Sequence, residues 1–231
     1  MAEFPAPSGA PARVASPQES ALPGSSAALE IVTVCTGNIC RSPLAELLLR
    51  RRLGDLGVAV HSVGTRGLVG TPLTEQTRKL AVARGVPAEQ AAAHRGRWLE
   101  QHHLVTPQLV LAMAREHRRA VVELVPARLR STFTVREFAR LAATLRDAEL
   151  TAAVEATGPD AAARLRAVVA LVAGQRGVAH PPAEPSDDDV VDPYRRSWRT
   201  YQRSVAQLEP ALDEVVRVVR VAVPRHAPVA D

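Results

Sequence analysis

The 231-residue chain has only two cysteines, Cys35 and Cys40, and a single lysine, Lys79, among its 29 basic residues. Two cysteines at C-x4-C spacing do not make a disulfide scaffold. A zinc site would need further Cys or His ligands at matched spacing. Of the seven histidines only His102 and His103 are close neighbours, and both are far from the cysteines in sequence. No metal and no other cofactor is expected. Aromatic residues are scarce at 3%, and no basic stretch is interleaved with them as a base-stacking platform requires. The net charge of +5 is therefore read as arginine on solvated helix faces, and nucleic acid is not an expected partner. No apolar run approaches the roughly 20 residues that span a bilayer. The N-terminus lacks a basic segment followed by an apolar stretch, so no secretory signal is read. A soluble, cytoplasmic protein is expected, and the 46% hydrophobic content is enough to fill a core.

What is present is an alternation. Residues 1–27, rich in Ala, Pro, Ser and Gly without apolar periodicity, read as a disordered extension. A domain over 28–223 follows, with 224–231 as a flexible tail. "LEIVTV" (29–34) is a short β-branched run, typical of a buried strand. It feeds a loop and then "SPLAELLLRRRL", where Ser42 is expected as the helix N-cap with Pro43 in the first turn. "GVAVHSVG" and "PQLVLAMA" read as further strands, and "TPLTEQTRKLAVARG" and "REHRRAVVELV" as helices, the latter leading to another short apolar run. "TVREFARLAATLRDAEL" reads as one helix and "DAAARLRAVVALVAG" as another. A polar, proline-bearing loop then leads to a long C-terminal helix, with Pro210 as an expected kink. Strands alternating with helices imply an α/β fold: a three-layer, doubly wound sheet of about four parallel strands with helices on both faces. Such folds bind ligands outside the carboxyl ends of their strands, which is where the loop after the first strand lies.

That loop, "VCTGNICRSPLAE" (34–46), holds both cysteines and Arg41. Gly37 and Asn38 tolerate unusual backbone angles. Successive N–H groups can turn inward to form an anion cradle. The N-terminus of the following helix adds positive potential, and the planar fork of Arg41 can grip two oxyanion atoms. The same donors around Cys35 favour its thiolate, the nucleophilic form. Held under a bound phosphate, that thiolate would attack phosphorus in line. The bland alternative is an inert cysteine buried at a strand end. The chemistry also requires an acid for the leaving group. "SDDDVVDPY" supplies Asp192, stiffened by Pro193, with Asp187, Asp188 and Asp189 as competitors, and an exposed acidic loop as the bland reading.

These residues resemble the low-molecular-weight protein tyrosine phosphatase family, in its bacterial, actinobacterial-like form. The likeness runs along the whole of "VCTGNICRSPLAE" and continues through "HSVGT", the G-x-P at 70–72, "AHRGRWL", "LVLAMAREH" and "VVDPY". It covers roughly residues 29–145 and 187–221. It implies Cys35 as nucleophile, Arg41 as phosphate clamp and Asp192 as general acid and then base. Thr36, Gly37, Asn38, Ile39, Cys40 and Ser42 would line the phosphate site, Tyr194 would stack on a substrate ring, and Ser62 and His94 would support the loop with Asn38 and Ser42. It further implies phosphotyrosine protein substrates, a cognate tyrosine kinase as partner, and a monomer or weak dimer.

Two departures shape the expectation. Family members often have an aromatic residue after the second strand, where this chain has "RGLVG" with Leu68. Residues of about 147–186 form an extra helical segment before the acid. Arsenate reductases share the loop but need downstream cysteines, and none follows Cys40. Family members acting on phosphoarginine tend to carry Thr where Ile39 stands, so Ile39 favours phosphotyrosine. A phosphoarginine or other small phosphomonoester phosphatase, and a non-catalytic phosphate-binding regulator, are the alternatives. Cys40 is read either as a packing residue or as the partner that traps an oxidised Cys35.

Overall fold

The structure, a computed structural model, describes residues 29–223. The expected disordered extension and flexible tail lie outside the described residues. In chain order the elements are β1 (Glu30–Cys35), α1 (Arg41–Leu53), β2 (Ala59–Gly64), α2 (Glu75–Val82), α3 (Ala88–Ala93), β3 (Leu109–Ala112), α4 (Arg115–Leu124), β4 (Thr132–Thr134), α5 (Val135–Ala142), α6 (Asp147–Glu155), α7 (Ala161–Gly174) and α8 (Trp198–Ala222). The strands form one sheet in the order β2-β1-β3-β4, with every pairing parallel. The chain leaves β1 first towards β2 and later returns on its other side as β3. The carboxyl end of β1 is thus the switch point where a crevice opens in a doubly wound sheet.

Side-chain alternation along β1 builds the three layers. Ile31 and Cys35 face a large cluster with Leu44 and Leu48 of α1, Phe138 of α5 and Leu208 and Leu212 of α8. Val32 and Val34 face a smaller cluster with Val63, Val110 and Val121, the last from α4. Thr33 is the one polar residue inside the strand. Its hydroxyl donates to the Ser42 carbonyl at 2.9 Å, which ties the start of α1 to the strand.

The stretch expected as one helix after β4 is two. α5 begins with a capping box, in which Thr134 accepts from the Glu137 amide while Glu137 accepts from the Thr134 amide. It ends where the Thr144 hydroxyl turns back to the Leu141 carbonyl at 2.8 Å, an alternative to the helical bond. Glu149 then accepts from the Arg146 amide at 2.9 Å and starts α6. At the other end of the chain, α8 continues past Pro210.

The extra segment packs into the same core. Leu150 and Val154 of α6 and Leu165, Val168 and Val172 of α7 join the large cluster alongside Val215 of α8. Just beyond α7, Arg176 lies 4.2 Å over the Phe133 ring. It donates to the carbonyls of Leu129 (3.0 Å) and Thr132 (2.7 Å), so it fastens the segment to the outermost strand. No helix among the described residues is long and apolar enough to cross a membrane. Because α7 shares the main core, Leu165→Ala should lower stability by about 2–5 kcal/mol within one cooperative urea transition. A separate early transition that leaves the main one unmoved would contradict this packing.

Candidate active site

The loop between β1 and α1 is shaped by where its carbonyls go. The carbonyl of Cys35 accepts from the Thr65 amide (2.9 Å), that of Thr36 from Arg66 (2.9 Å), that of Gly37 from Leu68 (3.0 Å) and that of Ile39 from Thr74 (3.1 Å). The Asn38 carbonyl accepts from Nε2 of His94 at 2.7 Å. Five successive carbonyls are thus held by the surrounding wall. In a planar trans peptide the N–H points opposite to the C=O, so the amides of Thr36 to Cys40 face the other way, into the loop. The Asn38 amide lies 3.3 Å from the Cys35 sulfur. Among the described residues, the amides of Gly37, Ile39 and Cys40 meet no protein acceptor. The wall comes so close to the loop that a Cβ at Gly64 would collide with the Thr36 carbonyl oxygen and lie 3.0 Å from the Asn38 amide.

Asn38 takes the left-handed conformation, with φ of 56°, and Gly37 does not. Asn38 is locked by its side chain. Nδ2 donates to Ser42 (3.0 Å) and to Ser62 (2.8 Å), and Oδ1 accepts from the Arg97 amide (2.9 Å). Ser62 in turn donates to Glu46. Glu46, buried in α1, also pairs with Arg50 at 2.7 Å and has Nδ1 of His94 at 4.0 Å. Burial pushes His94 below its usual range, which keeps the ring neutral. The bond to a carbonyl makes Nε2 the protonated nitrogen. The family resemblance grouped Asn38, Ser42, Ser62 and His94 around the loop, and Glu46 was missed. Its signal was a carboxylate one turn before Arg50 on an apolar helix.

Ser42 is not the N-cap. α1 begins two residues earlier than that cap implies, at Arg41, with Cys40 at the cap position and no side-chain cap. The Ser42 hydroxyl is engaged elsewhere: it accepts from Asn38, and its proton lies between the Cys35 sulfur (3.0 Å) and the Val63 carbonyl (3.3 Å).

Arg41 is buried, with 4% of its side chain exposed. Nη1 donates to the Val190 carbonyl (3.0 Å), and Nη2 reaches Asp192 (3.1 Å) and the Thr36 hydroxyl (3.4 Å). Its Nε has no acceptor among the described residues. The four aspartates of the late loop separate by their partners. Asp187 accepts from the Glu184 amide, Asp188 is clamped by Arg140 (2.8 Å), and Asp189 by Arg115 (3.0 Å). With Val190 donating to the Met113 carbonyl (2.8 Å) and Val191 to Gln207 (2.9 Å), the loop is anchored up to Asp192. Asp192 is left at the crevice, where its Oδ1 accepts from the Tyr194 amide (3.2 Å).

Cys35, Thr36, Gly37, Ile39, Cys40, Arg41, Asp192 and Tyr194 surround one cavity of about 180 Å³, together with Leu68 and Arg66. Arg66, on the wall loop, was not foreseen, since nothing marked it out among so many arginines. Cys40 lies 3.6 Å from the Thr74 hydroxyl and 3.8 Å from that of Tyr201, and burial pushes its thiol up. A third residue missed by sequence is His117 of α4, buried behind the loop with Nε2 2.8 Å from the Thr36 hydroxyl.

Comparison with known proteins matches residues 30–151 to the family described as low molecular weight phosphotyrosine protein phosphatase. The low molecular weight protein-tyrosine-phosphatase Etp of Escherichia coli K12 is 44% identical over 96 residues, which cover 42% of this chain and 62% of that protein. The chain thus spans less than two thirds of that relative's length. The protein-arginine-phosphatase of Geobacillus stearothermophilus is 35% identical over 108 residues, covering 47% of this chain and 70% of that one. Among solved structures, the YwlE arginine phosphatase of Geobacillus stearothermophilus superposes with a TM-score of 0.56 at 24% identity, over 81% of this chain and 90% of that one. The tyrosine phosphatase Wzb of Escherichia coli K30 gives 0.54 at 21%, over 81% and 95%. These likenesses establish the fold. Asp192 and Tyr194 lie beyond the stretch matched to the family.

Gly64→Ala should push the loop inward and misalign its amides. Each charge-assisted hydrogen bond lost to an anion weakens binding by roughly tenfold. Calorimetric titration with inorganic phosphate should show at least that loss, and an unchanged affinity would mean that the amides do not form the cradle.

Proposed function

Because the chain belongs to the low molecular weight phosphotyrosine protein phosphatase family, we propose that it hydrolyses phosphotyrosine and other aryl phosphate monoesters through a phosphocysteine intermediate. The observation that carries this reading is the ring of inward amides around the Cys35 sulfur, with Arg41 and Asp192 on the same cavity. The phosphate oxygens would sit among the loop amides and the unpartnered Nε of Arg41, where negative charge is stabilised by donors already in place. Cys35 attacks phosphorus in line as the bond to the aryl oxygen breaks. Asp192 gives its proton to that oxygen, which leaves as the phenol. Water then attacks the phosphocysteine, Asp192 takes its proton, and the sulfur departs as a thiolate stabilised by Ser42. Inorganic phosphate is released and the site is restored.

The walls support a ring rather than a guanidinium. Ile39 and Leu68 are apolar, and Tyr194 stands at the mouth with 38% of its surface exposed. The arginine phosphatase among the relatives keeps phosphoarginine as the second reading, and the apolar Ile39 weighs against it. A non-catalytic regulator would not need Asp192 so placed. The same reading brings in a cytoplasmic phosphotyrosine protein as substrate and a cognate tyrosine kinase as its source.

Cys35→Ser should abolish turnover of p-nitrophenyl phosphate while retaining phosphate binding. Asp192→Asn should slow phosphotyrosyl peptides by about 10²–10⁴-fold, and p-nitrophenyl phosphate less, because its leaving group needs less protonation. Turnover should persist in a metal chelator. Residual turnover in Cys35→Ser, or faster hydrolysis of phosphoarginine than of phosphotyrosine peptides, would overturn the assignment.

A further inference from the structure

We propose that His117 is a positioning residue for the phosphate clamp: its Nε2 accepts the Thr36 hydroxyl proton, which turns the Thr36 oxygen towards Arg41 and fixes the plane of the guanidinium. This rests on the reading of Arg41 as the group that grips phosphate.

The direction of each bond is set by which groups can donate. The Thr36 oxygen lies 2.8 Å from Nε2 of His117 and 3.4 Å from Nη2 of Arg41. A guanidinium only donates, so Thr36 accepts from Arg41 and its own proton must go elsewhere. Two tautomers of His117 are possible. If Nε2 carries the proton, Nδ1 is a bare buried acceptor and the Thr36 proton has no protein acceptor among the described residues. If Nδ1 carries it, Nε2 takes the Thr36 proton and only the Nδ1–H is unmatched. Nδ1 has no partner among the described residues in either case, so the second arrangement leaves fewer groups unsatisfied. The Glu116 carboxylate is 3.4 Å from Nε2, but it is 74% exposed, where solvent screens its charge. The ring is neutral, as this chain of bonds requires. Burial pushes His117 down to about 3, and the nearby Arg41 charge acts in the same direction.

The arrangement explains a buried histidine that makes no contact with the cavity itself. Without it, the Thr36 hydroxyl can rotate its proton towards Arg41, where it would repel rather than accept. Nη2 would then be held by Asp192 alone, whose carboxylate must also be free to serve the leaving group. His117 thus lets the clamp stay in place while Asp192 changes its protonation.

The test is a double-mutant cycle on p-nitrophenyl phosphate, with inhibition by inorganic phosphate as the second readout. His117→Leu and Thr36→Val should each weaken phosphate inhibition and lower kcat/KM by about tenfold, the scale of one hydrogen bond to a charged group. The double variant should lose no more than either single one, because both remove the same link. His117→Gln, which keeps an acceptor near Nε2, should recover most of the loss, and Glu116→Ala should behave as wild type. Thr36→Val keeps shape, so its result stands even if His117→Leu folds poorly. ¹⁵N spectra should show the ring neutral and protonated on Nδ1. Multiplying losses in the double variant, unchanged phosphate inhibition in Thr36→Val, or a ring protonated on Nε2 would overturn the proposal. A wild-type protein without any turnover would instead count against the function proposed above.

Discussion

The structure depends on the planarity of five consecutive peptide groups. Each trans peptide between Cys35 and Cys40 must send its carbonyl one way and its amide the other. The surrounding wall accepts the carbonyl side: the amides of Thr65, Arg66, Leu68 and Thr74 and the ring of His94 each hold one oxygen. The inward direction of the amides follows from that outer set of bonds. It is why the wall must approach so closely that Gly64 has no room for a side chain. It is also why Asn38, the residue in the left-handed conformation, is held at its carbonyl, its amide oxygen and its amide nitrogen at once.

A site that concentrates positive potential must be held together without filling itself with counter-charge. Buried neutral groups next to the loop do much of this work. Ser62 and His94 brace the loop without adding a charge next to the anion site, and Glu46 lies one layer further out, matched by Arg50. His117 sits behind Arg41, where burial and the guanidinium charge together exclude a second cation. The acidic loop follows the same logic. Asp188 and Asp189 are engaged by Arg140 and Arg115 on the outside, so among the described residues the cavity meets only the carboxylate of Asp192.

The extra helical segment contributes through the core. α6 and α7 bury Leu150, Leu165 and Val172 against α8, and Arg176 fastens the end of α7 to β4. The acid loop that follows is thereby delivered from a fixed point. Arg136 and Arg140 of α5 then receive Asp189 and Asp188. Asp192 itself is placed by the anchors just before it, Val190 on the Met113 carbonyl and Val191 on Gln207, and the residues that touch the cavity come from outside the segment.

Local patterns made much of this legible. β-Branched runs alternating with amphipathic stretches imply a parallel α/β sheet, because the period of the apolar residues sets each element and its buried face. The cysteine loop between a strand and a helix implies an anion cradle, because N–H density and the helix terminus act over a few residues. Other features depend on partners distant in sequence. The split into α5 and α6 turns on Thr144 and Glu149 competing with the helix, where the hydrophobic period alone suggests continuity. Ser42 looked like a cap, but its hydroxyl meets a sulfur brought close by β1. Pro193 marked Asp192 among the four aspartates, and only folding shows Arg140 and Arg115 engaging two of the others. Glu46 and His117 carried little signal because their roles lie in contacts across layers. The sequence by itself determined most of the elements and the loop between the first strand and helix, because these arise from neighbours along the chain. The tertiary structure alone decided which further groups stand behind the loop, Glu46 and His117 among them, because burial and pairing are set by groups that meet only after folding.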